Sequence, residues 1–165
     1  MISSQRLRLT LAYLESQYNA SATHADPVVA TLYCKMAVIE LCGWVEQYFD
    51  SISVAAARST TTTSAKAYLA KKVKLVYGMN YEKHCKTILL STLGVDMLGV
   101  VEDIVEQNGG ISRLAGELST LYTDRNGAAH THVASTSSYV SPSIVISKLN
   151  IIEPILFDIH ALAIP

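Results

Sequence analysis

The stretch PVVATLYCKMAVIELCGWVEQYFDSISVAA, residues 27–56, decides the fold. Asp26-Pro27 opens it as a helix start, with an aspartate placed to cap and a proline at the first helical position. From Val28 the apolar residues Leu32, Cys34, Val38, Leu41, Cys42, Val45 and Phe49 keep helical spacing, while Met36, Ile39 and Trp44 fill the remaining faces. A helix apolar nearly all round is expected to be buried on most sides. Residues 27–56 are therefore expected to form a central helix, with Glu40 as the polar exception in its middle.

Outward from this segment the chain reads as further helices divided by short breaks. Leu7, Leu11, Leu14 and Tyr18 fall on one stripe and predict a first helix over residues 4–19. The run Thr60-Thr61-Thr62-Thr63-Ser64 is a loop and cap before a lysine-rich helix at 65–77, which Gly78 and Asn80 interrupt. Two shorter helices, 81–92 and 95–107, are expected to hinge at Gly94 and to end at Gly109-Gly110. Ile111, Leu114, Ala115, Leu118, Leu121 and Tyr122 mark the next amphipathic stripe, followed by a break at Asp124–Gly127. A Ser/Thr-rich loop spans 134–141, and Ser141-Pro142 restarts a last helix with a kink at Pro154. No repeat, linker or hairpin interrupts the series. One all-α domain, a helical bundle over residues 1–165, is the expected fold.

Composition narrows the classes of function. The 165 residues can bury a core without staples. Half are hydrophobic and 16% are charged, too few charges to coat a monomer of this size, which predicts that apolar surface is covered in an oligomer. No stretch reads as a membrane span or signal peptide, because the apolar runs are broken by Lys, Glu or Asp. Cys34, Cys42 and Cys85 read as buried thiols in a reducing compartment, so a cytoplasmic location without membrane contact is expected. Net charge is −1, giving no global attraction for nucleic acid. Locally, Lys66, Lys71, Lys72, Lys74, Lys83 and Lys86 face a single acid, Glu82. That run is either a solvated face or a phosphate-attracting patch in which Lys71, Lys72 and Lys74 would carry an RNA backbone.

Phosphate-binding glycine loops, paired CxxC, HExxH and Gly-x-Ser-x-Gly motifs are all missing. His130-x-His132 is a poor metal pair, since residues two apart on a helix point about 200° from each other. Neither metal nor cofactor is expected. The constellation left is Arg125-Asn126-Gly127-Ala128-Ala129-His130. RNA cleavage needs no cofactor, because the ribose 2′-hydroxyl can attack the adjacent phosphorus. Histidine can move the protons and arginine can stabilise charge on phosphate oxygens. Asn126 can cap the helix bearing the histidine or position the substrate.

This motif resembles that of the HEPN superfamily, Arg-x4–6-His and often Arg-Asn-x3-His near the start of a late helix. An all-helical chain with an acid inside an early apolar helix (Ile39-Glu40-Leu41) is similar to the compact prokaryotic families, particularly the RiboL-PSP type. The resemblance covers about six residues in motif and most of the chain in pattern. Thr131 departs from the small residue the family often places after the histidine. The resemblance implies an HEPN-like bundle acting as a homodimer whose two motifs share a cleft. It implies a toxin-type or defence endoribonuclease that leaves a 2′,3′-cyclic phosphate, with Arg125, Asn126 and His130 as catalytic residues. An antitoxin or regulatory protein would be a further partner. The alternative it allows is a catalytically inactive HEPN module that binds a nucleotide, RNA or protein; a plain helical interaction protein is a third reading.

Two further expectations follow from geometry. A carboxylate among apolar neighbours needs a partner, so Glu40 is expected to meet Arg125, His130 or another polar group at the cleft. On one continuous helix Arg125 and His130 stand about 140° and 7.5 Å apart. A composite site made by two chains is the simpler way to bring them to one phosphate.

Overall fold

The computed structural model describes the chain except residues 1, 25–26, 59–61, 77, 131–138 and 165, and describes backbone only at 22–24 and 57–58. The described residues form six α-helices and no strand: α1 (Gln5–His24), α2 (Pro27–Arg58), α3 (Thr63–Val73), α4 (Lys86–Glu106), α5 (Gly110–His130) and α6 (Pro142–Ala163). The expected all-α bundle is observed. Asp26, the expected cap of α2, and most of the 134–141 loop lie outside the described residues.

The hydrophobic stripes act as their spacing requires. Leu7, Leu11 and Leu14 of α1 pack with Val38, Leu41, Val45, Phe49 and Ile52 of α2. Leu114, Leu118 and Leu121 of α5 and Leu149, Ile152, Leu156 and Ile159 of α6 complete the same core. Helix α2 touches α1, α3, α4, α5 and α6 and is the central element. One side of it stays open, however. Val28, Leu32, Met36 and Ile39 share one exposed face, so apolar composition here overstates burial. By length and composition Pro27–Ala56 is also long and apolar enough to cross a membrane, which corrects the expectation that no stretch qualifies.

Two glycines explain local breaks. Gly94 takes φ 79° and kinks α4, which otherwise runs through both expected short helices. Gly78 takes φ 117°, and the His84 ring stands 2.8 Å from where a Cβ would be, so a side chain there meets both backbone strain and a clash. Past it, Asn80 accepts a hydrogen bond from the Lys83 amide at 2.9 Å and starts a π-helical turn, Tyr81–Cys85, that leads into α4. The lysine-rich helix is shorter than expected, and its Thr62 cap accepts from Ala65 N–H at 3.3 Å. Helix α6 continues through Pro154.

The helix directions fix what lies beside the motif. The Lys35 ammonium sits 5.4 Å from the Tyr139 ring centroid, and Tyr48 meets Phe157 and His160 at 5.8 and 5.9 Å, so α6 runs parallel to α2. Gly110 and Arg113 share a cleft with Asp158 and Ala161, while Glu117 and Thr120 meet Lys148 at 3.2 and 2.6 Å. Helix α5 therefore runs antiparallel to α6, and so to α2.

Candidate active site

Arg125, Asn126 and His130 all lie in the last two turns of α5, which continues unbroken to His130. The expected break at Asp124–Gly127 does not occur. Gly127 costs about 1 kcal/mol in a helix interior, but the buried stripe Leu114, Leu118, Leu121 resumes beyond it at Ala128, so packing holds the helix together. Asn126 therefore caps no helix. It sits half-buried inside one.

Arg125 occupies the position on that stripe between Leu121 and Ala128 and so points toward α2. A cation at a helix–helix seam requires a countercharge. Glu46 supplies it: its Oε1 lies 3.6 Å from Arg125 Nη2, and both side chains remain partly exposed. Cys42, one turn before Glu46, lies in the same seam. Burial pushes its thiol up to about 12, against the opposing pull of the Arg125 charge. That thiol is a packing group, as are the buried, free Cys34 and Cys85.

His130 is exposed, about 140° around α5 from Arg125. In one chain the two residues do not converge. Of the His130-x-His132 pair, His132 lies outside the described residues. Among the described residues no three His, Cys, Asp or Glu side chains gather as a metal site would require.

Glu40 does not support this site. It is exposed and makes no hydrogen bond or ion pair with a described residue; it lines a cleft of about 410 Å³ between α1 and α2 with Arg6, Thr10, Trp44 and Gln47. The reason is helical phase. Glu40 and Glu46 differ by six residues, about 120° around the axis, and only Glu46 faces the α5 seam. The apolar neighbours that made Glu40 look buried, Met36 and Ile39, are themselves exposed.

Glu46 also opens onto a second cleft, of about 470 Å³, between α2 and the α3–α4 connection. Its polar lining includes Gln47, Asp50 and Lys74, and its walls include Phe49, Val73, Val76 and Met79. Burial and the neighbouring Glu46 charge together raise the Asp50 carboxyl above its usual range. Of the three candidate lysines, Lys74 thus shares a cleft with the acid that holds Arg125. Lys71 and Lys72 are exposed in the last turn of α3, and the Lys72 ammonium lies over Tyr68, 5.5 Å from its ring centroid. Lys86, from the same basic run, is tied to Glu102 at 3.0 Å and Glu82 at 3.7 Å.

Glu46 and Asp50 are what the reading of the sequence missed. Their signal was present: with Cys42 they stand at i, i+4 and i+8 along α2, a stripe that leaves the core face gradually. The chain matches no protein-family model, no curated protein sequence and no solved structure.

Proposed function

We propose that this chain is a metal-independent endoribonuclease of HEPN type, of the toxin or defence class, acting in the cytoplasm as a homodimer with Arg125 and His130 as its reacting groups. The observation that carries this reading is the setting of Arg125. It is a partly exposed guanidinium held at a helix seam by one carboxylate, within two turns of an exposed histidine. A 3.6 Å pair with partly exposed members is weak, on the order of 0–1 kcal/mol. An arriving phosphate can therefore draw Arg125 away from Glu46 at little cost.

In the proposed reaction His130 takes the proton from the ribose 2′-hydroxyl, whose oxygen then attacks phosphorus. Arg125 binds the non-bridging oxygens as negative charge builds on them. Asn126 positions the phosphate from the same turn as Arg125. The leaving 5′-oxygen takes a proton from solvent water and the protonated His130 returns its own to solvent, giving a 2′,3′-cyclic phosphate and a 5′-hydroxyl. Because Arg125 and His130 of one chain diverge, each histidine works with the partner's arginine. That same divergence supports the second reading, a module that binds RNA or a protein without cleaving.

Incubating purified protein with total RNA, with and without EDTA, tests the proposal. Fragments with cyclic phosphate ends at equal rates in both conditions are expected. Intact RNA in the presence of folded, micromolar protein would overturn it.

A further inference from the structure

The exposed face of α2 beside the motif asks what covers it. Val28, Leu32, Met36 and Ile39 are 46, 42, 49 and 46% exposed, and Tyr13 of α1 is 61% exposed. The four α2 residues fall within about 80° of one another around the helix axis. Tyr13 joins them because α1 lies alongside: Arg6 and Thr10 share a cleft with Ile39 and Gly43, and Tyr13 is the next turn on. In residues 27–39 the only charged side chain is Lys35. Together these five side chains present on the order of 500 Å² of mostly apolar surface, toward the upper end of what a monomer usually exposes.

This patch is continuous with the motif. Ile39 and Glu46 are seven residues apart, about 20° around the axis, so the apolar stripe runs directly into the acid that holds Arg125. Helix α5 is antiparallel to α2, so from Arg125 its last turn heads back along α2. The apolar stripe and the motif therefore meet at the Glu46–Arg125 pair.

We infer that this patch, centred on Leu32, Met36 and Ile39, is the surface on which a second copy of the chain docks. The inference rests on the proposed ribonuclease reading, and names the surface that would bring the two motifs together. Three observations select a second copy as the occupant. The site in one chain is incomplete, since Arg125 and His130 point apart. A two-fold interface uses the same patch twice, and because the patch runs into the Glu46–Arg125 pair it brings the second chain up to the arginine. The five side chains alone supply more than half of the roughly 800 Å² that each partner buries in a stable dimer of standard size.

Light scattering between 1 and 100 µM, run alongside RNA cleavage, tests this. The wild-type chain is expected to be a dimer. Leu32→Glu and Met36→Glu should each raise the dimer dissociation constant roughly 30-fold or more, the scale of an interface hot spot. Helical circular dichroism should be kept, because both side chains are already half exposed. Val95→Glu, on the exposed surface of α4, should change nothing. Ile39→Cys should give a covalent dimer with a short bismaleimide, since Cys34, Cys42 and Cys85 are buried. A wild-type monomer across the range, or a dimer indifferent to both glutamates, would overturn the inference. So would a monomer that floats with phosphatidylserine vesicles and is released by Leu32→Glu, which would assign the patch to a membrane. Monomeric variants that cleave RNA at the wild-type rate would leave the docking surface standing and sink the shared-site reading instead.

Discussion

Two arginines in this molecule are each paired with a glutamate, and they do different work. Arg8 of α1 meets Glu153 of α6, whose side chain is nearly buried, and also donates to Asn150 at 2.8 Å. Two acceptors on one helix fix the guanidinium and tie α1 to α6. Arg125 has Glu46 at 3.6 Å, and both partners are partly open to solvent. The two guanidinium groups are about equally exposed, but the acid of the first pair is enclosed, and breaking that pair would strand a carboxylate inside the protein. The second is open, so its arginine remains free to exchange one anion for another. Burial of the acid, rather than the presence of an ion pair, separates the two.

The widest expected difference lies in catalysis. Under the proposed function, Arg125→Ala and His130→Ala should each lower RNA cleavage by about two orders of magnitude or more. Arg8→Ala should leave the rate per folded molecule unchanged. Thermal melts should show the reverse order. Arg8→Ala leaves Glu153 without its partner and should cost about 1–3 kcal/mol, between the scales of buried and exposed pairs. Arg125→Ala should cost less than about 1 kcal/mol. Equal melting losses for the two variants would erase the contrast between the pairs.

A finer comparison sets Glu46 against Glu40. Glu46→Gln should shift cleavage several-fold, on the order of one charge-assisted contact, with the change seen in kcat because Arg125 loses its anchor. Glu40→Gln should leave steady-state kinetics as they were. If Glu40→Gln is the more damaging change, the seam has been misassigned.

Smaller still is the effect expected at the lysines. Reversing Lys71, Lys72 and Lys74 to Glu should weaken RNA binding and flatten its dependence on salt. Lys74→Glu alone should account for most of the change, because only Lys74 shares the Glu46 cleft. An unaltered salt slope would return all three to the solvated surface.

How far these features could be read from the sequence depended on whether they were local. The hydrophobic stripes of α1 and α5, and the hinge at Gly94, follow from spacing and from one residue's conformational freedom. The arrangement around Arg125 does not. Asp124-Arg125-Asn126-Gly127 has the composition of a turn, yet packing of Leu121 and Ala128 carries the helix straight through it. Glu46 went unread because which face of α2 meets α5 is a tertiary fact that neighbouring apolar residues cannot supply. Met36 and Ile39 made Glu40 look enclosed while lying on the surface themselves.

The proposed shared site has a direct test in mixing two inactive variants. Arg125→Ala and His130→Ala chains, each lacking activity alone, are combined and allowed to exchange subunits. If each histidine works with the partner's arginine, every mixed dimer holds one intact site and one empty one. Random pairing should then restore about a quarter of wild-type RNA cleavage, since half the dimers are mixed and each has one of two sites. A mixture no more active than its separate components, although exchange is shown to occur, would contradict a site built from two chains.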